Sequence, residues 1–285
     1  MTGSGGAFGV RLLYSSYIGP IMQIKKDTDP VKDVYDVSGT LTVSDPSMSL
    51  TYYLDPTNMG TSANNRVKMT KWYNQISTTY VATGVSSPMY DNCRNLVDFT
   101  SGYFSLPDNA YPKDNLAYTY IFTPKNFSTS TNSEQAIIWG GTASTGALCL
   151  ISVYGNPSSG SKLVTNSWWN GYATSDTTNN TAGTISDSSP SQTTVNGIKI
   201  AITYPATNLS EIKIYYMKKN ITTKITQSFS GTNYGNLSRS QAATSNYIGH
   251  NLFPAYVADY TGTLDFLYWA PTALGTNEIK ILCNT

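Results

Sequence analysis

The segment Tyr14-Ser-Ser-Tyr-Ile-Gly-Pro-Ile-Met-Gln-Ile-Lys-Lys-Asp27, together with Trp72-Tyr-Asn-Gln75 further along the chain, decides how this sequence is interpreted. The first segment ends at Lys25 and Lys26, a basic doublet typical of a strand edge or a turn. Strand-like stretches flank both segments. The two segments and their surroundings therefore indicate an all-β fold.

The overall composition favours strands over helices. Only 12% of the 285 residues are charged, about half the usual share. The chain contains just three glutamates, and long stretches with helical periodicity are missing from the sequence. With 40% hydrophobic residues, the chain can still bury a substantial core. Composition therefore predicts a folded, all-β protein.

Alternating apolar residues predict an antiparallel hairpin in the second half of the chain. Ile198, Ile200 and Ile202 share one face of a strand over 196–204. A second strand is expected over 211–217, and a turn-forming connection separates the two. Further strands are expected over 8–14, 68–73, 117–122, 221–225 and 262–269.

The C-terminal segment carries the best helix pattern of the sequence. After Pro271, Thr276 is expected to act as N-cap, with Ile279 and Leu282 on one apolar face. We predict a single sandwich domain over 7–285, preceded by a flexible leader over 1–6. The polar stretches 155–161 and 174–183 are expected to be loops rather than linkers, because the strands on either side need one another to bury their faces.

Several functional classes fit the sequence poorly. The formal net charge is +1, and basic and acidic residues are interspersed along the chain. Nucleic-acid binding depends on phosphate contacts from many cationic side chains, so it is not expected here. No apolar run is long enough to span a bilayer, so no membrane partner is expected. The three cysteines, Cys93, Cys149 and Cys283, form no Cys-x-x-Cys motif. Buried free thiols are favoured over one disulfide with one cysteine left over.

The two opening segments carry a family resemblance. They are similar to the catalytic domain of fungal α-L-arabinofuranosidase B, a concanavalin A-like sandwich. That family opens with an aromatic-Ser-Ser/Ala-aromatic-x-Gly-Pro/Ala segment and continues with a Tyr-Asp-Gln motif, a Pro-x-aromatic step and a Val-x-Phe-x-x-Gly-x-aromatic segment. The matching stretches here are 14–26, 72–77, 88–90 and 97–104.

The C-terminal third resembles laminin-G-type sandwiches, which end in an aromatic-x-Gly step, an aromatic strand and a short helix. Tyr260-Thr-Gly262 and the residues that follow fit that order. Together, the resemblances imply an all-β, concanavalin A-like antiparallel β-sandwich (jelly roll) with a short C-terminal helix. The opening pattern also resembles domains of phage and large-DNA-virus structural proteins.

The catalytic residues implied by the resemblance do not appear where the family would place them. Retaining glycosidases need two carboxyl groups about 5 Å apart. The family's nucleophile strand corresponds to 162–172 and its acid to 247–253, and neither stretch contains a carboxylate. The family's adjacent cysteine pair is also absent, and Asn74 replaces the motif Asp. We expect no catalytic residues, with relocated carboxylates at Asp98 and Asp259 as the alternative.

Aromatic and amide side chains give the candidate carbohydrate-binding residues, namely Trp168, Trp169, Asn170, Tyr172 and His250. Flat rings stack on sugar C–H surfaces, and amides hydrogen-bond to hydroxyls. A purely structural alternative stays open for each: a tryptophan in the core with its neighbour under a loop, and a loop histidine bonded to nearby backbone.

Two further kinds of site are weaker. Sequons permit N-glycosylation if the chain meets the machinery; they lie at Asn126, Asn179, Asn208, Asn220 and Asn236. Calcium could bind at Asp27, Asp29 and Asp33, although a solvated acidic turn is the simpler interpretation. No other cofactor is expected.

The sequence favours a non-enzymatic virion structural or surface protein, such as a minor capsid, decoration or fibre module. Its expected partners are other coat or capsid proteins and, in addition, glycans, at the virion or extracellular surface. One alternative is an arabinofuranosidase-type glycoside hydrolase with relocated carboxylates, and another is a secreted lectin or adhesin domain.

Overall fold

The computed structural model describes most of the N-terminal half and the C-terminal strands and helix. The described residues are 5–26, 29–44, 48–55, 66–77, 80–108, 110–111, 117–128, 133–142, 146–155, 162–166, 197–204, 213–218, 221–225, 245–252 and 258–283. Within them the chain forms strands and two short helices.

The strands of the first half are β1 (Gly6–Gly9), β2 (Met22–Lys25), β3 (Lys32–Val37), β4 (Thr40–Val43), β5 (Arg66–Tyr73), β6 (Val81–Ser86), β7 (Met89–Asp91), β8 (Leu96–Asp98), β9 (Gly102–Leu106) and β10 (Tyr118–Phe122). Those of the second half are β11 (Ser133–Thr142), β12 (Gly146–Gly155), β13 (Lys162–Asn166), β14 (Lys199–Tyr204), β15 (Lys213–Lys218), β16 (Ile221–Ile225), β17 (Ser245–Ile248), β18 (Ala258–Asp259), β19 (Thr263–Leu264) and β20 (Phe266–Ala270). The helices are α1 (Leu50–Leu54) and α2 (Thr276–Cys283).

Two sheets stack to form the sandwich. In the described part of the chain, the smaller sheet has the order β1-β20-β10-β14-β15-β16. The larger follows β13-β12-β11-β17-β9-β6-β5-β2-β3-β4, with β7, β8, β18 and β19 attached to it. All the pairings recorded are antiparallel except that of β18 with β11. The predicted all-β sandwich with a short C-terminal helix is confirmed.

Apolar side chains at alternate positions of the strands fill the space between the two sheets. In the smaller sheet, Tyr120, Ile202 and Trp269 point inward and are fully buried. Phe8 of β1 connects the layers, since its ring lies 5.3 Å from that of Trp269 and 5.7 Å from that of Trp72 on β5 of the larger sheet. Burying aromatic area on both inner faces supplies the main driving force for the fold.

The outer face of the smaller sheet is covered by α2. Ile279 and Cys283 of this helix pack with Ile121, Ala201 and Tyr215 of the sheet. The helix follows the predicted segment, but Thr276 is its first residue rather than its N-cap. Instead, the backbone N–H of Gly275 donates to Glu278 Oε2 at 2.7 Å, which satisfies a donor at the helix start. No helix of the described part is both long and apolar enough to cross a membrane.

The hairpin predicted in the second half is confirmed. β14 and β15 pair antiparallel, with Ile202 opposite Ile214, and β16 continues the sheet. Ile200 and Ile202 are fully buried and Ile198 packs partly against the core.

Three local predictions were wrong. The expected strand over 8–14 ends at Gly9, although the N–H of Val10 still donates to the carbonyl of Asp265 at 3.1 Å. Lys26 is buried rather than at an exposed edge, and its ammonium donates to the carbonyl of Tyr53 at 3.4 Å. Cys283 is a buried free thiol as expected, whereas the free thiol of Cys93 is exposed. The side chain of Cys149 lies outside the described residues.

The Trp72–Gln75 motif fixes the start of the chain. Trp72 Nε1 donates to the carbonyl of Gly9 at 3.1 Å. Asn74 Oδ1 accepts from the N–H of Ala7 at 3.0 Å, and its amide donates to the carbonyl of Gly5. Gln75 binds the segment that follows, since its Oε1 accepts from the N–H of Leu13 at 2.7 Å. Asn74 and Trp72 thus hold residues 5–9 around β1, which starts at Gly6, and Gln75 holds the segment that follows Gly9.

Candidate functional site

A cluster of rings lies on the outer face of the larger sheet, where β9 pairs with β17. Phe104 of β9 and Ile248 of β17 are opposite each other and are both fully buried in the core. Side chains alternate along a strand, so the neighbouring Tyr103 and Tyr247 project to the outer side. Their ring centroids lie 5.5 Å apart in an edge-to-face arrangement.

Gly249 directs the next residue onto these rings. Its φ of +86° lies in the left-handed region, and a Cβ there would meet the ring of Phe99 at 2.4 Å. The chain turns at this glycine, and His250 stacks on Tyr103 with 4.0 Å between the centroids and 11° between the planes. The same imidazole meets Tyr247 edge-to-face at 4.9 Å.

Asp259, the last residue of β18, completes the cluster. β18 pairs with β11 and thereby brings its carboxylate beside the histidine. The Oδ1 atom lies 2.8 Å from His250 Nδ1 and accepts from the N–H of Asn251 at 3.2 Å. A carboxylate at Nδ1 favours the proton on that nitrogen, so Nε2 of a neutral imidazole is left as a hydrogen-bond acceptor. The side chains are 20% exposed for His250 and 49% exposed for Asp259.

We define the aromatic platform as Tyr103, Tyr247, His250 and Asp259. Among the described residues, neither His250 Nε2 nor Asp259 Oδ2 has a hydrogen-bond partner. Partial burial, helped by the nearby charge of Asp259, raises the pKa of Tyr103, so its hydroxyl stays protonated at neutral pH. The platform thus presents ring surface, a carboxylate oxygen, an imidazole nitrogen and a hydroxyl to solvent.

The base of the platform is held firmly. The hydroxyl of Tyr111 donates to the carbonyl of Tyr247 at 2.7 Å. The ring of Trp139, on the adjacent strand β11, lies 5.9 Å from that of Tyr247 and is almost completely buried. A preorganised ring surface loses little conformational entropy on binding.

The structure places one of the five predicted carbohydrate-binding residues, His250, at this site. The interpretation of His250 as a loop histidine bonded to backbone is wrong, because its recorded partner is the carboxylate of Asp259. The other four, Trp168, Trp169, Asn170 and Tyr172, lie outside the described residues.

Sequence reasoning missed Tyr103 and Tyr247 as site residues, and it considered Asp259 only as a relocated catalytic group. The sequence Ser245-Asn-Tyr-Ile248 contained a signal for Tyr247. Because side chains alternate along a strand, an inward-facing Ile248 implies that the side chain of Tyr247 lies on the outer face of the sheet. The pairing of β17 with β9, on which the cluster depends, has no such local signal.

Asp98, the other carboxylate considered for relocation, lies in the interior. It is 4% exposed, and its side chain accepts from Arg66 and from the N–H of Thr100 at 2.8 Å. Arg66 also lies 3.4 Å from Asp91. The buried Asp98 carboxylate is therefore engaged by the partly exposed Arg66 rather than presented to a ligand.

The other predicted sites fall in separate places. Asp29 accepts from the hydroxyl of Tyr53 at 3.1 Å, and Asp33 accepts from Tyr73 at 2.9 Å, while Asp27 lies outside the described residues. No group of three His, Cys, Asp or Glu side chains that could share a metal ion occurs among the described residues. The exposed Asn126 donates to Thr263 Oγ1 at 3.1 Å. The remaining sequons, at Asn179, Asn208, Asn220 and Asn236, lie outside the described residues.

Comparison with known proteins shows a likeness in fold. An arabinofuranosidase complexed with arabinofuranosyl-α-1,2-xylobiose superposes with a TM-score of 0.59 at 11% identity, over 98% of this chain and 61% of that one. A mutant GH54 α-L-arabinofuranosidase soaked with 4-nitrophenyl α-L-arabinofuranoside gives 0.57 at 12% identity, with the same coverage. A GH54 α-L-arabinofuranosidase soaked with a cyclic sulfate inhibitor gives 0.56 at 11% identity, again with that coverage.

These values establish a shared β-sandwich fold and nothing finer. The chain spans about three fifths of the length of the arabinofuranosidase structures that it resembles. No protein-family model and no curated protein matches the sequence.

Proposed function

We propose that this domain is a non-catalytic recognition module that binds carbohydrate at the aromatic platform. The observation that carries the proposal is the pairing of His250, which stacks on Tyr103, with the half-exposed Asp259, each with one polar atom still unpaired among the described residues. A sugar ring has C–H surfaces and hydroxyl groups at its edge. Aromatic rings can stack on the C–H surfaces, and a neighbouring carboxylate can bind the hydroxyl groups.

The polar atoms define how a sugar would bind. Asp259 Oδ2 accepts from one sugar hydroxyl, and His250 Nε2 bonds to a second hydroxyl nearby. The C–H face of the same ring then covers the exposed parts of Tyr103 and Tyr247. Because Asp259 and His250 are already bonded to each other, both are oriented before the ligand arrives.

The carboxylates support binding rather than cleavage. A retaining glycosidase needs a second carboxyl group about 5 Å from the first. In the described part of the chain, no third acidic, histidine or cysteine side chain gathers with His250 and Asp259 closely enough to share a metal ion. Asp98 is held by Arg66 inside the protein. The likeness in fold to arabinofuranosidases is an analogy and does not decide activity.

A glycan array tests the proposal directly. The wild-type domain should bind a defined subset of glycans, and Asp259→Ala should lower the affinity about tenfold, since a charge-assisted hydrogen bond is lost. Asp108→Ala, at an exposed aspartate that is not one of the platform residues, is the control and should bind normally. Absence of any glycan binding, or equal affinity in Asp259→Ala, would contradict the proposal.

A hydrolase with relocated carboxylates is the alternative to be excluded by assay. Turnover of an aryl arabinofuranoside that disappears in both Asp98→Asn and Asp259→Asn would establish it and overturn the non-catalytic proposal. We expect no turnover by the wild-type protein.

Placement on a virus particle, with contacts to coat proteins, stays a prediction from the opening motif. Mapping the domain in purified particles of its source checks this prediction independently of sugar binding. Recovery only as a free secreted protein would favour the lectin or adhesin alternative.

A further inference from the structure

A second pocket lies on the opposite side of the molecule, on the outer face of the smaller sheet. It encloses about 170 Å³ between the segment that follows β1 and helix α2. Strands of the smaller sheet and the segments beside them supply its apolar lining, which includes Leu13, Ile121, Phe266 and Leu282. A dry apolar cavity of about 150 Å³ is large enough to hold one benzene ring. The pocket therefore has room for one ring.

Two cationic side chains line this pocket. Lys199 donates to the carbonyl of Cys283 at 2.6 Å, and its ammonium lies 4.8 Å from the centroid of the Phe266 ring. Arg11 is exposed and donates to the carbonyl of Gly39 at 3.2 Å. Each retains further N–H donors, and neither has a carboxylate partner among the described residues.

The acidic residue in the lining has a cation of its own. Asp265 Oδ2 lies 2.8 Å from Lys125 Nζ, while its Oδ1 is buried and has no hydrogen-bond partner among the described residues. The nearby Glu278 accepts from the N–H of Gly275 at the start of α2. The pocket thus combines an apolar floor with two cations, Arg11 and Lys199, that have no carboxylate partner among the described residues.

A pair of tyrosines adds neutral donors. Tyr14 and Tyr268 both line the pocket and are close enough for each to influence the pKa of the other. Burial raises the pKa of both groups, so neither becomes an anion that would repel a negatively charged ligand at neutral pH.

We propose that this pocket binds a small amphipathic carboxylate, a molecule with one aromatic ring and one carboxylate group. The ring lies on Phe266 and Ile121, and the carboxylate is held by Arg11 and Lys199. A carboxylate accepts two parallel hydrogen bonds from a guanidinium, and this geometry favours it over a neutral group. The site is separate from the aromatic platform and does not depend on carbohydrate binding.

Titration with benzoate, followed by ¹H–¹⁵N NMR spectra of the intact domain, tests this proposal. Benzoate and 4-hydroxyphenylacetate should shift amide signals of residues 10–14 and 265–268, whereas benzyl alcohol, which lacks the charge, should bind about tenfold more weakly. Equal affinity for benzoate and benzyl alcohol, or shifts confined to other regions, would overturn the proposal.

Variants separate the two cations from general effects of charge. Arg11→Gln should weaken benzoate binding about tenfold. The control Lys213→Gln removes an exposed positive charge from β15, outside the pocket lining, and should have no effect. Lys199→Met should likewise weaken binding, and the same spectra report whether that variant stays folded. Asp259→Ala should bind benzoate normally. Unchanged affinity in Arg11→Gln would refute the assigned role of the guanidinium.

Discussion

Asp259 and Tyr260 are neighbours in the chain, yet their side chains lie on opposite sides of the larger sheet. Asp259 is half-exposed and bonds to His250 on the outer face. Tyr260 is fully buried, where its hydroxyl donates to the carbonyl of Thr263 at 3.0 Å and accepts from the N–H of Lys125 at 3.1 Å. Successive side chains of extended backbone point in opposite directions, so one short segment supports both a core and a surface site.

This pair shows that hydrogen-bond saturation and burial separate the two roles. The polar atom of Tyr260 is satisfied inside the protein, as is Asp98 beside Arg66. At the platform, one oxygen of Asp259 is engaged while the other faces outward. Residues of the first kind should control folding stability, and residues of the second kind should control binding.

The largest effect is expected at Tyr260. Tyr260→Ala should lower the free energy of unfolding by about 4 kcal/mol, because it opens a cavity beside Phe99 and Phe127 and removes the hydroxyl's hydrogen bonds. Urea unfolding followed by circular dichroism measures this. Tyr52→Ala, at an exposed tyrosine on α1, is the control and should change the value by less than about 0.5 kcal/mol. Equal effects of the two variants would remove the proposed contrast.

Asp98 provides the matched test for carboxylates. Asp98→Ala should cost about 2 kcal/mol of stability, since Arg66 and the N–H of Thr100 both lose a buried acceptor. Glycan affinity of the folded variant should stay at the wild-type value. The same denaturation curve for Asp259→Ala should shift by less than about 0.5 kcal/mol. A reversed order of the two shifts would contradict the assignment of core and surface roles.

Alkaline pH provides a third comparison. Burial raises the pKa of Tyr90 to about 12, and that of Tyr260 also rises. An unfolded tyrosine titrates near about 10, so above that pH the unfolded state releases protons that the folded state keeps. The stabilisation that each buried tyrosine provides is thus fully present below about pH 10. Well above that pH, the free energy of unfolding falls by about 1.4 kcal/mol per pH unit for each buried tyrosine that stays protonated in the folded state.

Urea unfolding at pH 9, 10 and 11 checks this. Tyr90→Phe should reduce the loss between pH 10 and 11 by about 1 kcal/mol relative to wild type. It should also lose the hydrogen bond to Asn95 at every pH, which lowers the whole curve without changing its slope. Parallel pH dependence in the two proteins would show that Tyr90 does not titrate as assigned.

The smallest effect is expected at the platform ring. Tyr103→Ala should weaken glycan binding about fivefold, because a stacking surface for sugar and for His250 is lost, while Tyr103→Phe should retain most of the affinity. Calorimetric titration with the best glycan from the array measures both. If Tyr103→Phe is as weak as Tyr103→Ala, then the hydroxyl rather than the ring carries the interaction.

Much of the fold could be predicted from local patterns. The hairpin of β14 and β15 was predictable from two signals. Ile200 and Ile202 occupy alternate positions of one strand, and a turn-forming stretch follows that strand. Helix α2 was predictable from Ile279 and a favourable start near Thr276. The strand expected through Tyr14 ends at Gly9, and the segment beyond it is bonded by Gln75, whose side chain binds Leu13 and Arg11 from 62 and 64 residues away along the chain. Alternation alone cannot register such long-range bonds.

Residue types and their order were enough to predict the all-β class, strands with apolar faces that stack on one another, and the lack of carboxylates in 162–172 and 247–253. Those features depend on composition and on the two-residue period of a strand. By contrast, the grouping of Tyr103, Tyr247, His250 and Asp259 on one surface became visible in the folded chain alone. That surface requires β9, β17 and β18 to be positioned around β11, and strand order depends on burial and backbone pairing across the whole sheet rather than on any local pattern.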